Sequence, residues 1–405
     1  MAWLTDERLR LYPGALFAAV TFAFVFTVLT ADGARTVTGT LGGDYAAFHA
    51  VGSLLLDGRV DELYDWQVQA EAQRGLHPDD PNAFLSFAYP PFVALPYAAL
   101  SLIGFRWGYF VHSVLAGLAL WLGVWAVAPE LPRVGRYRFA LFVALLLFFP
   151  LFRAVPGGQN TAFSLCIVAC TWRLLADGRD LPAGLVAGLL LYKPQLGIPL
   201  AGLLALRRRP AVVAGIAVSA VGLYAAGAAL GGLGWPAWWW GQIAAFHAMD
   251  QDVNAPNSVG ILGFLEAVLG PGQPAAVVPG LVLSGSLVLA MMALWWTDRV
   301  DRTTRWGLTA VALVLIPPHS MFYDAGLAAL GLAVWADRAR SPVWVVAVWF
   351  AALTTPISVV TGASPLFFVV VAIGAGVWLT APGSPAPALS AHAPPTPGTA
   401  DPAPP

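Results

Sequence analysis

Charge is scarce in this chain. Aspartate, glutamate, lysine and arginine make up 11% of the 405 residues against 58% apolar ones. With a mean hydropathy of +0.71, this excludes a soluble globular fold, in which roughly 25% of residues are charged. Lysine is almost missing: Lys193 is the only one, and the net charge is -1. Without a basic field to displace counterions from phosphate backbones, a nucleic-acid partner is excluded. Cysteine is limited to Cys166 and Cys170, one helical turn apart in an apolar run. That spacing suits packing thiols, not a disulfide framework or a metal pair. Zinc-ligand spacings, a Walker loop, a GxSxG elbow and a dinucleotide fingerprint are absent, which removes the usual support for metal hydrolases, ATP-driven pumps and serine hydrolases. No cofactor and no metal are expected.

Long apolar runs are what the chain has. Residues 12–31, 107–128, 211–232 and 275–297 are each close to the roughly 20 residues that cross a hydrocarbon core about 30 Å thick. The expectation is an all-α, polytopic transmembrane bundle over residues 1–381, with about 10–12 membrane helices including broken or re-entrant ones. Residues 382–405, rich in Pro and Ala, read as a disordered tail. Asp6, Glu7, Arg8 and Arg10 precede the first run with no small-residue cleavage site beyond it, so that run reads as a retained first span. Residues 32–88 are acidic and poor in arginine, and by the positive-inside rule they face away from the cytoplasm as a first extracytoplasmic loop. Within them Phe48, Val51, Leu54 and Leu55 fall at helical spacing, predicting an amphipathic helix on the outer membrane surface that Asp44 opens and Gly58 closes. A second outward loop, 233–258, carries Trp235, Trp238, Trp239, Trp240, His247, Asp250, Asp252, Asn254, Asn257 and Ser258. Its tryptophans suit an interface belt, with stacking on sugar rings as the alternative.

Arginines cluster at 133/136/138, 173/179, 207–209, 299/302/305 and 338/340, and most should be cytoplasmic. Segment 181–206 has arginines at both ends, which a single crossing would put on opposite sides. Either the positive-inside rule fails locally, or the segment is broken at Lys193-Pro194, where proline removes a helical hydrogen bond and biases the residue before it away from the helix, into two half-helices that dip in and return. Segment 306–336 repeats the pattern around Pro317-Pro318-His319-Ser320. Interrupted hairpins with polar tips point to a buried site.

An ionisable group kept in an apolar context is costly, so each is a functional candidate. Asp44 follows Gly42-Gly43 where a lipid-bound substrate and an aqueous acceptor would meet; it suits a general base and equally a helix N-cap. Lys193 either snorkels to the interface or finds an anion such as phosphate, with Gln195 adding a donor and an acceptor. Arg153, followed by Gly157-Gly158-Gln159-Asn160, reads as a cation beside a turn that presents amides, or as a plain interhelical loop. His319, Tyr323 and Asp324 cluster at the second hairpin tip, where the histidine orients a phosphate or hydroxyl, or simply packs. The prolines of Tyr89-Pro90-Pro91 suit the first turn of the next helix.

The order of these segments is familiar: Asp44-Tyr45, Gly58 to Tyr64, Tyr89-Pro-Pro, Gly158-Gln159-Asn160, Lys193-Pro194-Gln195 before an arginine cluster, and Asn257-Ser258. It resembles glycosyltransferase family 87, the bacterial multi-span C-type glycosyltransferases that include polyprenyl-phosphate-mannose-dependent α-mannosyltransferases. The likeness runs between residues 10 and 380. It implies a C-type fold in the bacterial plasma membrane, with the active site facing outward. It also implies a polyprenyl-phosphate-linked sugar donor, a glycolipid or glycan acceptor, inversion at the anomeric carbon and no required metal. Asp44 matches the first-loop acid proposed as catalytic base, Lys193 falls at a KPQ-like position facing the donor phosphate, and His319 matches a late polar position given a catalytic role. Arg153 would join Lys193 at the phosphate, and Tyr45, Tyr89, Gln159, Asn160, Gln195, Asn257, Tyr323 and Asp324 would contact substrate. Many C-type enzymes carry two neighbouring acids in the first loop, whereas here the nearest to Asp44 are Asp32 and Asp57, a departure that disfavours a metal-bridged donor. The chemistry needs little more, since a lipid phosphate leaves readily once an acceptor hydroxyl is deprotonated and aligned. Two other readings stay open: a transporter or flippase for a lipid-linked sugar, which broken helices also suit, and a non-catalytic membrane scaffold.

Overall fold

The structure, a computed structural model, describes residues 5–37, 39–77 and 84–382. Asp79 and Asp80 of the acidic loop and the Pro/Ala-rich segment beyond 382 lie outside the described residues, as do the side chains of His247, Asp250 and Asp252. The expected all-α polytopic architecture is what the chain adopts. Apart from two-residue strands, Arg35–Thr36 paired with Gly39–Thr40, the described regular structure is helical. Five of the described helices are long and apolar enough to cross a membrane: Asp6–Thr30, Gly104–Glu130, Pro210–Gly231, Pro274–Trp296 and Val343–Thr361. The first four coincide with the apolar runs of the sequence.

Helix α1 (Asp6–Thr30) marks the two ends of the bundle. Tyr137 donates to the Asp6 carboxylate at its start, and Arg106 donates to the Ala31 carbonyl just past its end. The first is the arginine end and the second the loop end. At the loop end lie α2 (Tyr45–Leu56), α3 (Trp66–Ala72) and α4 (Ala94–Ser101). Pro91 starts the short turn of helix that leads into α4, because its missing N–H has no intrahelical partner to lose there. The second helix differs from the expected surface helix. Tyr45, Ala46, Ala47, Phe48, Ala50, Val51, Gly52 and Leu54 are all buried, and a Cβ on Gly52 would fall 2.5 Å from the Tyr97 carbonyl oxygen. Its small residues let α4 pack against a second face, which a one-sided amphipathic pattern does not anticipate.

From the loop end α5 (Gly104–Val127) runs to the arginine end, where Glu130 pairs with Arg302 at 2.9 Å. The chain then makes a hairpin through α6 (Arg138–Leu146), α7 (Phe149–Ala154) and α8 (Thr161–Ala176), which returns so that Arg173 also reaches Glu130, at 3.9 Å. The next hairpin is α9 (Asp180–Leu189) and α10 (Pro194–Ala205), broken at Lys193. It is followed by α11 (Pro210–Gly231). Arg209 pairs with Asp180 at 2.8 Å, which ties the start of α11 to the start of α9, so α10 has come back to the end that α9 left. Of the two readings of segment 181–206, the dip and return is therefore the one it adopts. Glycines permit it: a Cβ on Gly184 would lie 2.1 Å from the Val212 carbonyl oxygen, and one on Gly215 2.5 Å from that of Leu181.

Helices α12 (Trp235–Asn254) and α13 (Ile261–Leu269) precede α14 (Pro274–Trp296), which ends where Arg207 and Arg305 share Asp298, at 2.9 and 3.2 Å. The predicted outer loop 233–258 is thus largely helix. A third hairpin, α15 (Arg302–Leu315) to α16 (Ala329–Arg338), closes on itself where Arg338 pairs with Asp301. The last elements, α17 (Val343–Ala351), α18 (Ser358–Thr361) and α19 (Leu366–Leu379), go out and back. Gly307 faces Val377 and Gly374 faces Val311, so α19 runs antiparallel to α15. Three hairpins therefore stand on ion-paired feet at one end and bring their tips together inside the bundle.

Candidate functional site

The tips meet around a cavity of about 740 Å³, within the range of about 300–1,000 Å³ typical of small-ligand sites. Each tip supplies polar groups because its helices stop there. Proline at 194 leaves Lys193 non-helical, with φ of -116° and ψ of 84°. The turn before α8 presents Gln159, and the Pro317-Pro318 break presents His319, Tyr323 and Asp324. The loop between α1 and α2 adds Asp44, and the segment before α4 adds Tyr89.

Asp44 flanks the start of α2 without capping it, since its side chain makes no cap hydrogen bond. The carboxylate turns to the cavity and accepts a hydrogen bond from Gln159 Nε2. The surface it keeps is cavity wall, and protein packs around the rest. That desolvation is the main reason its pKa rises from 3.8 to about 6. The Gln159 bond and the charges of Arg153 and Lys193 oppose the rise, while Asp324 adds to it. The group is therefore poised to exchange a proton near neutrality.

Lys193 is 2% exposed. Its Nζ donates to Asp324 Oδ1 at 2.7 Å and lies 5.9 Å and 5.8 Å from the ring centroids of Tyr89 and Tyr323. Asp324 is held in turn by the Met321 N–H at 3.2 Å. This buried pair links the tips of the second and third hairpins. The ammonium retains donors toward the cavity, because one carboxylate oxygen occupies a single N–H of three.

Of the residues singled out from sequence, Asp44, Tyr89, Gln159, Lys193, Gln195, Asn257, His319, Tyr323 and Asp324 all border this cavity. Three do not. Tyr45 is fully buried behind Asp44, packed against Tyr97, Tyr109 and His112. Asn160 is buried beside the cavity, accepting from the Tyr89 hydroxyl at 3.5 Å. Arg153 is exposed at the end of α7, so it acts on Asp44 only through its field. Sequence reasoning passed over Tyr192, Phe48 and Phe246, which also line the wall. The available signals were adjacency to Lys193 for the first and a position one helical turn beyond Asp44 for the second. Phe246 carried no signal of its own; its ring packs edge-on to His319, with centroids 5.6 Å apart. Trp239 and Trp240 reach the cavity too, as sugar stacking would require, and Trp239 is pinned by its Nε1 to the Ala88 carbonyl at 3.2 Å. One flank is apolar, with Ile198, Pro199, Ile243 and Phe322. Among the described residues no three His, Cys, Asp or Glu side chains converge as a metal group.

A polytopic helical bundle with a carboxylate, a cation and aromatics around one pocket is the layout of an integral membrane protein that handles a partly polar, partly apolar ligand. The family model of glycosyltransferase family 87 matches residues 87–318, more than half of the chain, and the chain belongs to that family. It is a membrane glycosyltransferase. The matched stretch holds Tyr89, Gln159, Lys193, Gln195 and Asn257, whereas Asp44, His319, Tyr323 and Asp324 lie outside it. No curated protein and no solved structure matches the chain.

Proposed function

We propose that the protein transfers a hexosyl group, mannosyl in the first instance, from a polyprenyl-phosphate donor to a glycolipid or glycan acceptor. The reaction takes place on the outer side of a bacterial plasma membrane and inverts the anomeric carbon. The observation that carries this reading is the Asp44 carboxylate, free of any capping duty, set in the cavity wall with a pKa near 6. In the reaction the acceptor oxygen attacks the anomeric carbon from the face away from the phosphate. Its proton passes to Asp44, the bond from anomeric carbon to phosphate oxygen breaks, and the lipid phosphate leaves with the bonding pair. Lys193, held in place by its bond to Asp324, and His319 steady the departing anion. Trp239 and Trp240 stack on the sugar, and the apolar flank receives the lipid chain. The rationale for general-base catalysis is that the phosphate already leaves well, so the nucleophile is what must be activated.

The test uses the purified chain in proteoliposomes with a labelled polyprenyl-phospho-hexose and a lipid extract as acceptor. The parent protein should yield a glycolipid one hexose heavier. Asp44→Asn should lower transfer by about 10²–10⁴-fold while donor binding persists. Transfer by Asp44→Asn within a few-fold of the parent would sink the role of Asp44. Label crossing the vesicle membrane with no new glycosidic bond would favour a transporter instead.

A further inference from the structure

Two double-glycine turns from distant parts of the chain press together beside the cavity. Gly42 and Gly43 have φ of 86° and 48°, and the Asp44 N–H that follows them donates to the Gly157 carbonyl at 3.0 Å. Facing them, Gly158 has φ of 72°, and a Cβ there would fall 2.4 Å from that of Tyr45. A larger residue would push the outer loop away. The second turn is anchored from behind: the Tyr109 hydroxyl donates to the Pro156 carbonyl at 2.6 Å, and the Gln159 N–H donates to the Ala154 carbonyl at 2.9 Å. This clasp delivers the Gln159 side chain, 5% exposed, with Nε2 on the Asp44 carboxylate and Oε1 without a protein partner among the described residues. Turning the amide over would set Oε1 against the carboxylate, so the bond to Asp44 fixes the amide and the amide fixes Asp44.

We propose that Gln159 is a positioning residue: seated by the clasp of Gly42-Gly43 on Gly157-Gly158, it keeps the Asp44 carboxylate turned into the cavity and supplies the N–H that group needs once ionised. The proposal rests on the reading of Asp44 as the base and says how the fold prepares it. Several charges face Asp44 from separate elements. Arg153 on α7 and Lys193 between α9 and α10 favour the carboxylate, and Asp324 at the third tip opposes it. Tyr89 and His319 also border the cavity. Gln159 differs from these in touching the carboxylate directly, and a hydrogen bond to the charged form favours that form.

The experiment titrates Asp44 in the purified full chain labelled at the aspartate carboxyl carbons. Its infrared carboxyl band is identified as the one missing in Asp44→Asn. Gln159→Met, which removes the donor at similar volume, should raise the midpoint by about one pH unit, a tenfold change in proton affinity. Gln159→Asn, too short to reach, should move it the same way. The acidic limb of the transfer rate should follow in both variants. An unchanged midpoint in both overturns the proposal. The titration needs no substrate, so it stands or falls apart from the catalytic reading, which fails separately if Asp44→Asn retains transfer.

Discussion

A carboxyl whose folded pKa lies above its ordinary value leaves two measurable marks at the residue scale. For Asp44, raised from 3.8 to about 6 by burial, the ionised base is lost below about pH 6, so the transfer rate should fall tenfold per pH unit there and level off above it. The stability effect has the opposite sense. Between the two pKa values the folded state binds the proton more tightly than the unfolded state, so stability falls as pH rises through that window. Asp44→Asn should therefore stabilise the chain above pH 6, by up to about 3 kcal/mol, and leave it unchanged near pH 3.5. Thermal unfolding in detergent at both pH values checks this; equal effects at both would contradict the burial cost. The Lys193 and Asp324 pair makes a second case. Lys193→Met leaves a buried carboxylate unpaired and should cost about 3–5 kcal/mol, while Lys193→Met with Asp324→Leu should recover most of that stability without recovering transfer. A double-mutant cycle on unfolding and rate separates the two. Each residue of this pair was visible in the sequence as an ionisable group in an apolar setting. Their partnership was not, since 131 positions separate them and nothing local in either segment points to the other.

The hairpins carry the argument at the element scale. The feet of the second and third were legible only as one of two options, because arginines at both ends of segments 181–206 and 306–336 fit either a hairpin or a local failure of the positive-inside rule; the first hairpin was not legible, its turn at Gly157-Gly158 reading equally as a plain interhelical loop. The tips of those two were legible through Lys193-Pro194 and Pro317-Pro318. The burial of α2 was not, because Ala46, Ala47, Ala50 and Gly52 say nothing in isolation about whether a second helix will lie against them. The aromatic wall was obscure for a related reason: in a chain with 17 tryptophans and 22 phenylalanines, a ring facing a cavity looks like one facing lipid. The close pairing of α9 with α11 yields a direct test. Gly184 meets the Val212 carbonyl oxygen and Gly215 meets the backbone of Leu181, leaving no room for a side chain. Gly184→Leu should cost at least about 1–3 kcal/mol and, by shifting the hairpin, displace Lys193 from Asp324. Gly202→Leu, on the same hairpin where nothing lies within 4 Å of a Cβ, should be tolerated. If the two variants melt alike, the glycine contact is not what seats the hairpin.

For the whole molecule, the decisive property is which ends share a side. Glu130 bonds both Arg173 and Arg302, Arg209 bonds Asp180, Arg207 bonds Asp298 and Arg338 bonds Asp301. These contacts gather every hairpin foot on one face, while α1, α5, α11 and α14 each pass between that face and the loop end. Ion pairs alone do not hold such an arrangement, since exposed pairs contribute only about 0–1 kcal/mol each. The hairpins are held instead by buried packing such as the stack of Trp172 on Trp306, 6.1 Å between ring centroids. The arrangement makes an accessibility pattern that a bundle of simple crossings cannot imitate. With Cys166 and Cys170 replaced by alanine and single cysteines introduced, positions 179, 208 and 340 should react with an impermeant thiol reagent from the same side of sealed vesicles. Positions 61, 232 and 272 should react from the other. A single straight crossing of segment 181–206 would instead split 179 from 208. That split would undo the hairpin, and with it the meeting of tips that brings Asp44, Gln159, Lys193 and Asp324 to one cavity.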